Sequence, residues 1–284
     1  MNEQAIKDRL QVIAREKGIQ FNECWKKLLF ERFLARLSRS NHAQRFIFKG
    51  GFLLAYMMEI GRETIDLDFL LTNMHTSETE IKDAIQEIVS TISEDGFSFT
   101  FSGIERLEQP HMEYPGFRIS LLVVFGRMKD KVFIDVGVGD IVNPTSRDFH
   151  LFEYRGKPLF EGDISLSVYP PETIFAEKLE TVLSKGAANS RMKDYHDLLL
   201  LSRNSHLIKR EALEAAIKST FKNRGTGLEF INFDEVGLKS MQRLWTAHLK
   251  NLGKIAQDLN LPSDIRELIH EMNTYLSTMD LINS

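Results

Sequence analysis

One cysteine, Cys24, stands in a chain of 284 residues. A single thiol closes no intramolecular disulfide and builds no zinc site of several cysteines. No apolar run approaches the about 20 residues that cross a bilayer, so no membrane partner is expected. The first residues, MNEQAIKDRLQVIAREKG, have the charged pattern of an amphipathic helix and lack the apolar core of a signal peptide, which makes the cytoplasm the expected compartment. Positive charge is not in excess either. The formal net charge is −4, which argues against a general nucleic-acid coat and leaves any RNA contact to a local basic patch. There is no repeat, low-complexity tract or flexible linker. The histidines are scattered, with no metal-ligand spacing.

What the chain does hold is a change of pattern near residue 170. Residues 3–17 and 21–38 read as helices, the second with Phe21, Trp25, Leu28, Leu29 and Phe33 at helical spacing. Short strands follow at 46–48 and 67–71, with a helix over 52–58 between them. Another helix is expected over 78–93, capped by Ser77 with Glu80 placed for a capping box. Strands are expected at 98–103, 117–125 and 132–138, the last two joined by a hairpin-type connection at 126–130. Short strands near 150–154 and 164–168 complete the mixed part. After Pro170-Pro171, which suits a helix start, the segments 172–183, 193–202, 209–221, 234–252 and 263–278 all read as helices. The expected fold class is therefore α+β: a domain over 1–170 and an all-helical one over 171–284.

The chemistry is concentrated in Lys49-Gly50-Gly51 and in Arg62-Glu63-Thr64-Ile65-Asp66-Leu67-Asp68. Glycines let a backbone approach a ligand closely, and a helix start offers N–H groups to an anion. Asp66 and Asp68 are two apart, so on a strand they share a face. Two like charges on one face repel, and a divalent metal with hard oxygen ligands, Mg²⁺ above all, relieves that. Separately, a Gly-Gly is usually a turn and an Asp-x-Asp usually a solvated face. Together they suggest a phosphate cradle beside metal carboxylates. Asp135 is an acidic residue inside the apolar strand pattern Val132–Val136. It reads as a third carboxylate beside the pair or as a solvent-facing strand residue, while Asp140 reads as structural. Lys178 has the position of a solvated helix-surface lysine. Asp194 and Asp197 are i, i+3 neighbours at a helix start, where carboxylates complement the dipole. His196 falls on another face and is not expected to be a ligand.

Four blocks in order, FKGGFLLAYMMEIGRETIDLDF, KVFIDVGVGD, YPPETIFAEKLETVL and RMKDYHDLLLL, resemble the AbiEii-type (MenT-like) nucleotidyltransferase toxins of the DNA polymerase β-like superfamily. The resemblance runs from about Phe46 to Leu201. It implies a polymerase β-like mixed sheet with flanking helices, followed by a helical bundle contributing Lys178 and Asp194 to the site. It implies a loop at Gly50 and Gly51 for the triphosphate, with Lys49, Arg62, Thr64, Arg191 and Lys193 also toward the nucleotide. Asp66, Asp68 and Asp135 become metal and catalytic carboxylates, Lys178 an active-site lysine and Asp194 a further essential aspartate. The implied reaction is Mg²⁺-dependent transfer of NMP from an NTP to an acceptor hydroxyl, the tRNA 3′ end, by the toxin of a type IV toxin–antitoxin system whose antitoxin is encoded separately. The alternatives are the same fold acting on a protein or small molecule, or a nucleotide-binding protein without catalysis. Two departures stand out. Phe52 replaces the hydroxyl residue that often follows the glycines, and Ser184-Lys185 stands where an arginine is common.

Overall fold

The computed structural model describes residues 2–72, 77–107, 116–139, 142–279 and 281. The chain divides into two units: Met1–Tyr56 with Glu63–Gly139 and Pro144–Tyr169, and Met57–Arg62 with Asp140–Asn143 and Pro170–Ser284. One boundary between the units falls between Tyr169 and Pro170. The unexpected part is the short piece Met57–Arg62, which leaves the first unit and joins the second.

The first unit opens with α1 (Glu3–Glu16) and α2 (Phe21–Ser38). Helical spacing gives α2 an apolar stripe, but the helix is buried almost all round, from Cys24 to Leu37. A helix surrounded on all sides sits inside a core rather than on it. Its charged residues survive there only because they are paired: Arg36 grips both oxygens of Asp95, at 2.7 and 2.8 Å, and Arg32 pairs with Glu161.

After α2 come β1 (Phe46–Lys49), α3 (Gly50–Met57), β2 (Leu67–Leu71) and α4 (Glu78–Val89). Ser77 is the expected N-cap of α4, and Glu80 meets its hydroxyl. Ser77 Oγ accepts from the Glu80 N–H at 3.3 Å and donates to the Glu80 carboxylate at 2.6 Å. Then follow β3 (Ser98–Leu107), β4 (Gly116–Phe125), β5 (Met128–Val138), β6 (Thr145–His150), β7 (Glu153–Tyr154), β8 (Lys157–Pro158) and β9 (Asp163–Val168). The β4–β5 connection is tighter than the expected five residues. Gly126-Arg127 alone makes the turn, with Gly126 at φ +58°, the sign that two-residue hairpins require.

Seven strands form one mixed sheet in the order β3-β4-β5-β2-β1-β9-β6; β7 and β8 pair separately. The β2–β5 and β1–β9 pairs are parallel and the other pairs antiparallel. Phe46, Phe48 and Phe69 meet ring to ring on one face, and Phe33 of α2 reaches Phe69 at 6.1 Å. That face is sealed. The register therefore sends the alternate residues, Lys49, Asp68, Asp135 and Arg118, to the other face.

The second unit is helical: α5 (Pro171–Lys185), α6 (Met192–Arg203), α7 (Arg210–Arg224), α8 (Glu235–Leu252), α9 (Lys254–Asp258) and α10 (Ile265–Ser277). α5 packs on α6 and α7, and α10 on α6 and α8. Trp245 is fully buried in α8 and donates its indole N–H to the Pro262 carbonyl at 2.8 Å. The α+β class with a following helical part is thus the observed one. Among the described residues no helix is long and apolar enough to cross a membrane.

Candidate active site

Four adjacent strands set one row of charge across the sheet. Lys49 of β1 stands opposite Asp68 of β2, Asp68 opposite Asp135 of β5, and Asp135 opposite Arg118 of β4. Directly opposed residues share a face, so register alone aligns a cation, two carboxylates and a second cation. Asp66 lies in a bend just before β2, not on the strand as the i, i+2 argument supposes. It joins the group by another route: Arg118 Nη2 stands 3.5 Å from its carboxylate.

Arg118 is the centre of this group. Its Nε and Nη2 donate to the two oxygens of Asp135 at 2.7 and 2.6 Å. That hydrogen-bonded pairing, with Asp135 and Asp66 close by, raises the guanidinium far above its ordinary value. The ring of Phe133 lies 5.9 Å from it. Asp135 was expected as a third metal ligand. Here both its oxygens are taken by Arg118, and among the described residues no three His, Cys, Asp or Glu side chains stand together as a metal ligand set. Asp66 and Asp68 are hard carboxylate donors. Mg²⁺ is commonly held by one or two carboxylates with substrate phosphates, so the donor chemistry fits that ion. Thr64 is buried beside them in sequence, and its Oγ1 has no hydrogen-bond partner among the described residues.

The glycines open α3 rather than a turn ahead of it. Gly50 is at φ +79°, and a Cβ there would collide with the Asp68 carboxylate. Both facts demand glycine. Gly51 follows in the first helical turn, whose amides have no partner within the helix. Lys49 Nζ lies 3.3 Å from the Tyr169 hydroxyl and 4.4 Å from the ring centre. Phe52 points away from such chemistry. It is buried against Phe30, Phe48 and Tyr56.

Within the second unit, charged residues of α5 and α6 also meet. Lys178 Nζ of α5 sits between Asp194, at 2.8 Å, and Asp197, at 2.9 Å, both on α6. Arg62 donates to both oxygens of Asp197 at 2.8 and 2.6 Å. Arg191 Nε is 3.2 Å from Asp194. The helix-dipole reading of the aspartates is therefore corrected: they are buried counter-ions, 2% and 0% exposed. Lys178 is likewise no solvated surface lysine. Burial would lower its pKa, yet Asp197 and Asp194 raise it. Burial would raise Asp197, yet Lys178 and Arg62 hold it far below the carboxylate range. Arg62, expected at the nucleotide, is committed to Asp197. Arg191 and Lys193 are exposed at the start of α6.

Three participants escaped the sequence reading. Asp197 reads in the sequence as a helix-start carboxylate, with no partner to name. His196 is buried and bonded through Nδ1 to His248 Nε2 at 2.8 Å, a pair no spacing announces. Arg118 had a signal: it is the one charged residue in the strand GFRISLLVVF, the same anomaly that marked Asp135. Asp140 lies outside the described residues.

Residues 32–271 match the family described as nucleotidyl transferase AbiEii toxin, type IV toxin–antitoxin system. The chain belongs to the AbiEii family. It is accordingly a nucleotidyltransferase, with an NTP as donor substrate and an antitoxin as the second component that such a system implies. Two solved structures are similar to this AbiEii chain. JHP933 from Helicobacter pylori is 12% identical, with 90% of this chain and 91% of that one covered and a TM-score of 0.48. An H. pylori candidate nucleotidyltransferase is 14% identical, with 89% and 93% covered and a TM-score of 0.45. No curated protein sequence matches.

Proposed function

We propose that this AbiEii protein moves a nucleoside monophosphate from an NTP to an acceptor hydroxyl, with the 3′ end of tRNA as acceptor and Mg²⁺ held by Asp66 and Asp68. The observation that supports it most is the row Lys49–Asp68–Asp135–Arg118, flanked by Asp66 and by the glycine start of α3. Charge of both signs is gathered on one sheet face beside amides suited to phosphate.

In this reading the amides of Gly50 and Gly51 and the ammonium of Lys49 bind the triphosphate. Bound Mg²⁺ would neutralise phosphate charge that builds on the oxygens in the transition state. Asp135, oriented by both donors of Arg118, accepts the proton of the acceptor hydroxyl as its oxygen attacks the α-phosphorus. The bond from the α-phosphorus to the bridging oxygen breaks, and pyrophosphate leaves with the electron pair. Asp194 is ill placed to be that base, being 2% exposed and bonded by Lys178. We assign Lys178, Asp194, Asp197 and Arg62 to positioning within the second unit. Arg191 and Lys193, exposed nearby in sequence, are the cations offered to phosphate.

The test is incubation with each labelled NTP in Mg²⁺, with purified tRNA in one arm and total protein in the other. Label on tRNA, removed by 3′-end digestion, is the expected result. Label on protein alone would replace the tRNA acceptor with a protein hydroxyl.

A further inference from the structure

The row on the sheet ends in a cation that has two carboxylates within reach. Arg118 bonds both oxygens of Asp135 and lies 3.5 Å from Asp66. Each of those carboxylates belongs to the set that the proposed reaction needs. A guanidinium and a divalent cation satisfy the same oxygens, and both cannot do so fully at once.

Two other arginine–aspartate pairs that are bonded through both carboxylate oxygens look different. Arg36 and Asp95 are 3% and 2% exposed, and Arg62 and Asp197 10% and 0%. Such pairs are fixed parts of a core, since separating them would strand a buried charge. Arg118 is 35% exposed, and its two carboxylates are 21% exposed. Water can take over its hydrogen bonds if it leaves. The Phe133 ring, itself exposed at 37%, gives the guanidinium a second contact. A planar fork also suits this place better than an ammonium, because it spans both Asp135 oxygens and still presents an edge to Asp66.

We infer that Arg118 is the built-in counter-ion of the carboxylate set: it holds Asp135 and Asp66 together without a metal, and competes with the divalent cation for the oxygens of Asp66. The inference rests on the metal reading above and adds a residue that regulates it. Mutual repulsion of the carboxylates is contained while no cation is bound. Cation binding then requires the guanidinium to yield, which makes binding weaker than the carboxylates alone would give. Substrate phosphates, by attracting both cations, favour the exchange.

The experiment uses the full chain without nucleotide and follows free Mn²⁺ by electron paramagnetic resonance during titration. The proteins are wild type, Arg118→Gln, Arg118→Lys and Asp66→Ala, each checked for folding by circular dichroism. Arg118→Gln should bind Mn²⁺ at least about tenfold more tightly than wild type, because one positive charge beside the ligands is gone. Arg118→Lys should fall between them, since the charge remains but the two-point grip does not; it carries the comparison if the glutamine variant does not fold. Asp66→Ala should bind weakly. Equal or weaker binding by both folded Arg118 variants, with Asp66→Ala still impaired, overturns the counter-ion role and leaves the metal reading standing. Absence of Mn²⁺ binding in every protein overturns both.

Discussion

The Asp68 carboxylate fills the space that a Cβ on Gly50 would need, and Gly50 holds a φ of +79°. Strand end, helix start and carboxylate are thus locked in one contact. Gly50→Ala should move Asp68 or the first turn of α3 by a large fraction of an ångström. Displacements of that size cost about a hundredfold in rate. Gly51→Ala meets no positive φ and should cost less. Initial rates of NMP transfer, with melting temperatures recorded in parallel, decide it. An active Gly50→Ala enzyme would show that the close approach to Asp68 is dispensable.

Asp66→Ala and Asp68→Asn should each lower transfer by at least about a thousandfold while leaving the fold intact. Both carboxylates are only part-buried on the open face, so neither supports the core. The measurement is transfer at saturating NTP over a range of Mg²⁺. Near wild-type rates for either variant would remove it from the metal set.

Local patterns were enough to read much of this molecule. The period-2 alternation of Phe117–Phe125 and the cap at Ser77 are written in adjacent residues, and both hold. Asp66, Asp68 and the glycines stood out because two carboxylates and two glycines break apolar runs. What stayed hidden depends on long-range pairing. Nothing near Lys178 says that it will meet Asp194 and Asp197 sixteen and nineteen residues on, nor that Arg62 will cross to Asp197. A charged residue looks solvated until its partner arrives from another element. The burial of α2 all round is of the same kind, since its apolar stripe says which face is inside first, not that the sheet and α4 will cover the rest.

Lys178→Ala should destabilise the protein, in contrast to the surface-lysine expectation. It leaves Asp194 and Asp197 buried with less compensating charge, and breaking such a pair typically costs about 3–5 kcal/mol. Arg62 remains on both oxygens of Asp197, whereas Asp194 keeps only the exposed Arg191, so Asp194 bears most of the loss. Asp194→Asn in the Lys178→Ala background should recover part of it, because the stranded charge is then removed. Urea unfolding of the wild type and the two variants measures this. An unchanged unfolding midpoint for Lys178→Ala would mean that Arg191 and water are enough to satisfy Asp194.

Two buried groups give opposite responses to pH. Burial pushes Glu31 from 4.5 up to about 7, only partly offset by hydrogen bonds from the Phe152 N–H and the Tyr56 hydroxyl. The folded chain therefore keeps a proton there that the unfolded chain releases, and stability falls as pH rises from 4.5 to 7. Burial pushes His196 from 6.5 down to about 4. The unfolded chain then takes a proton that the folded one refuses, and stability falls as pH drops from 6.5 towards 4. Each effect amounts to up to about 3 kcal/mol, and they oppose one another between pH 4.5 and 6.5. Glu31→Gln should uncover the histidine alone, so that stability at pH 5 drops relative to pH 7 by more than in wild type. Parallel urea curves at the two pH values, identical in both proteins, would refute the assignment to Glu31.

Membership of a type IV toxin family sets the last expectation. Expression of the wild-type chain without its antitoxin should arrest growth, and Asp66→Ala at the same protein level should not. The reasoning is catalytic. One enzyme modifies many acceptors, so a folded variant that cannot transfer is harmless, whereas a toxin acting by occupancy stays toxic when a carboxylate is lost. Arg118→Gln sharpens the comparison. If Arg118 restrains cation binding yet also orients Asp135, the variant should bind Mn²⁺ more tightly and still be less toxic than wild type. Equal toxicity of wild type and Asp66→Ala would sink the catalytic account of the arrest. Harmless Asp66→Ala beside toxic wild type, with labelled NMP on tRNA only in the toxic strain, would tie the arrest to the carboxylates of this sheet.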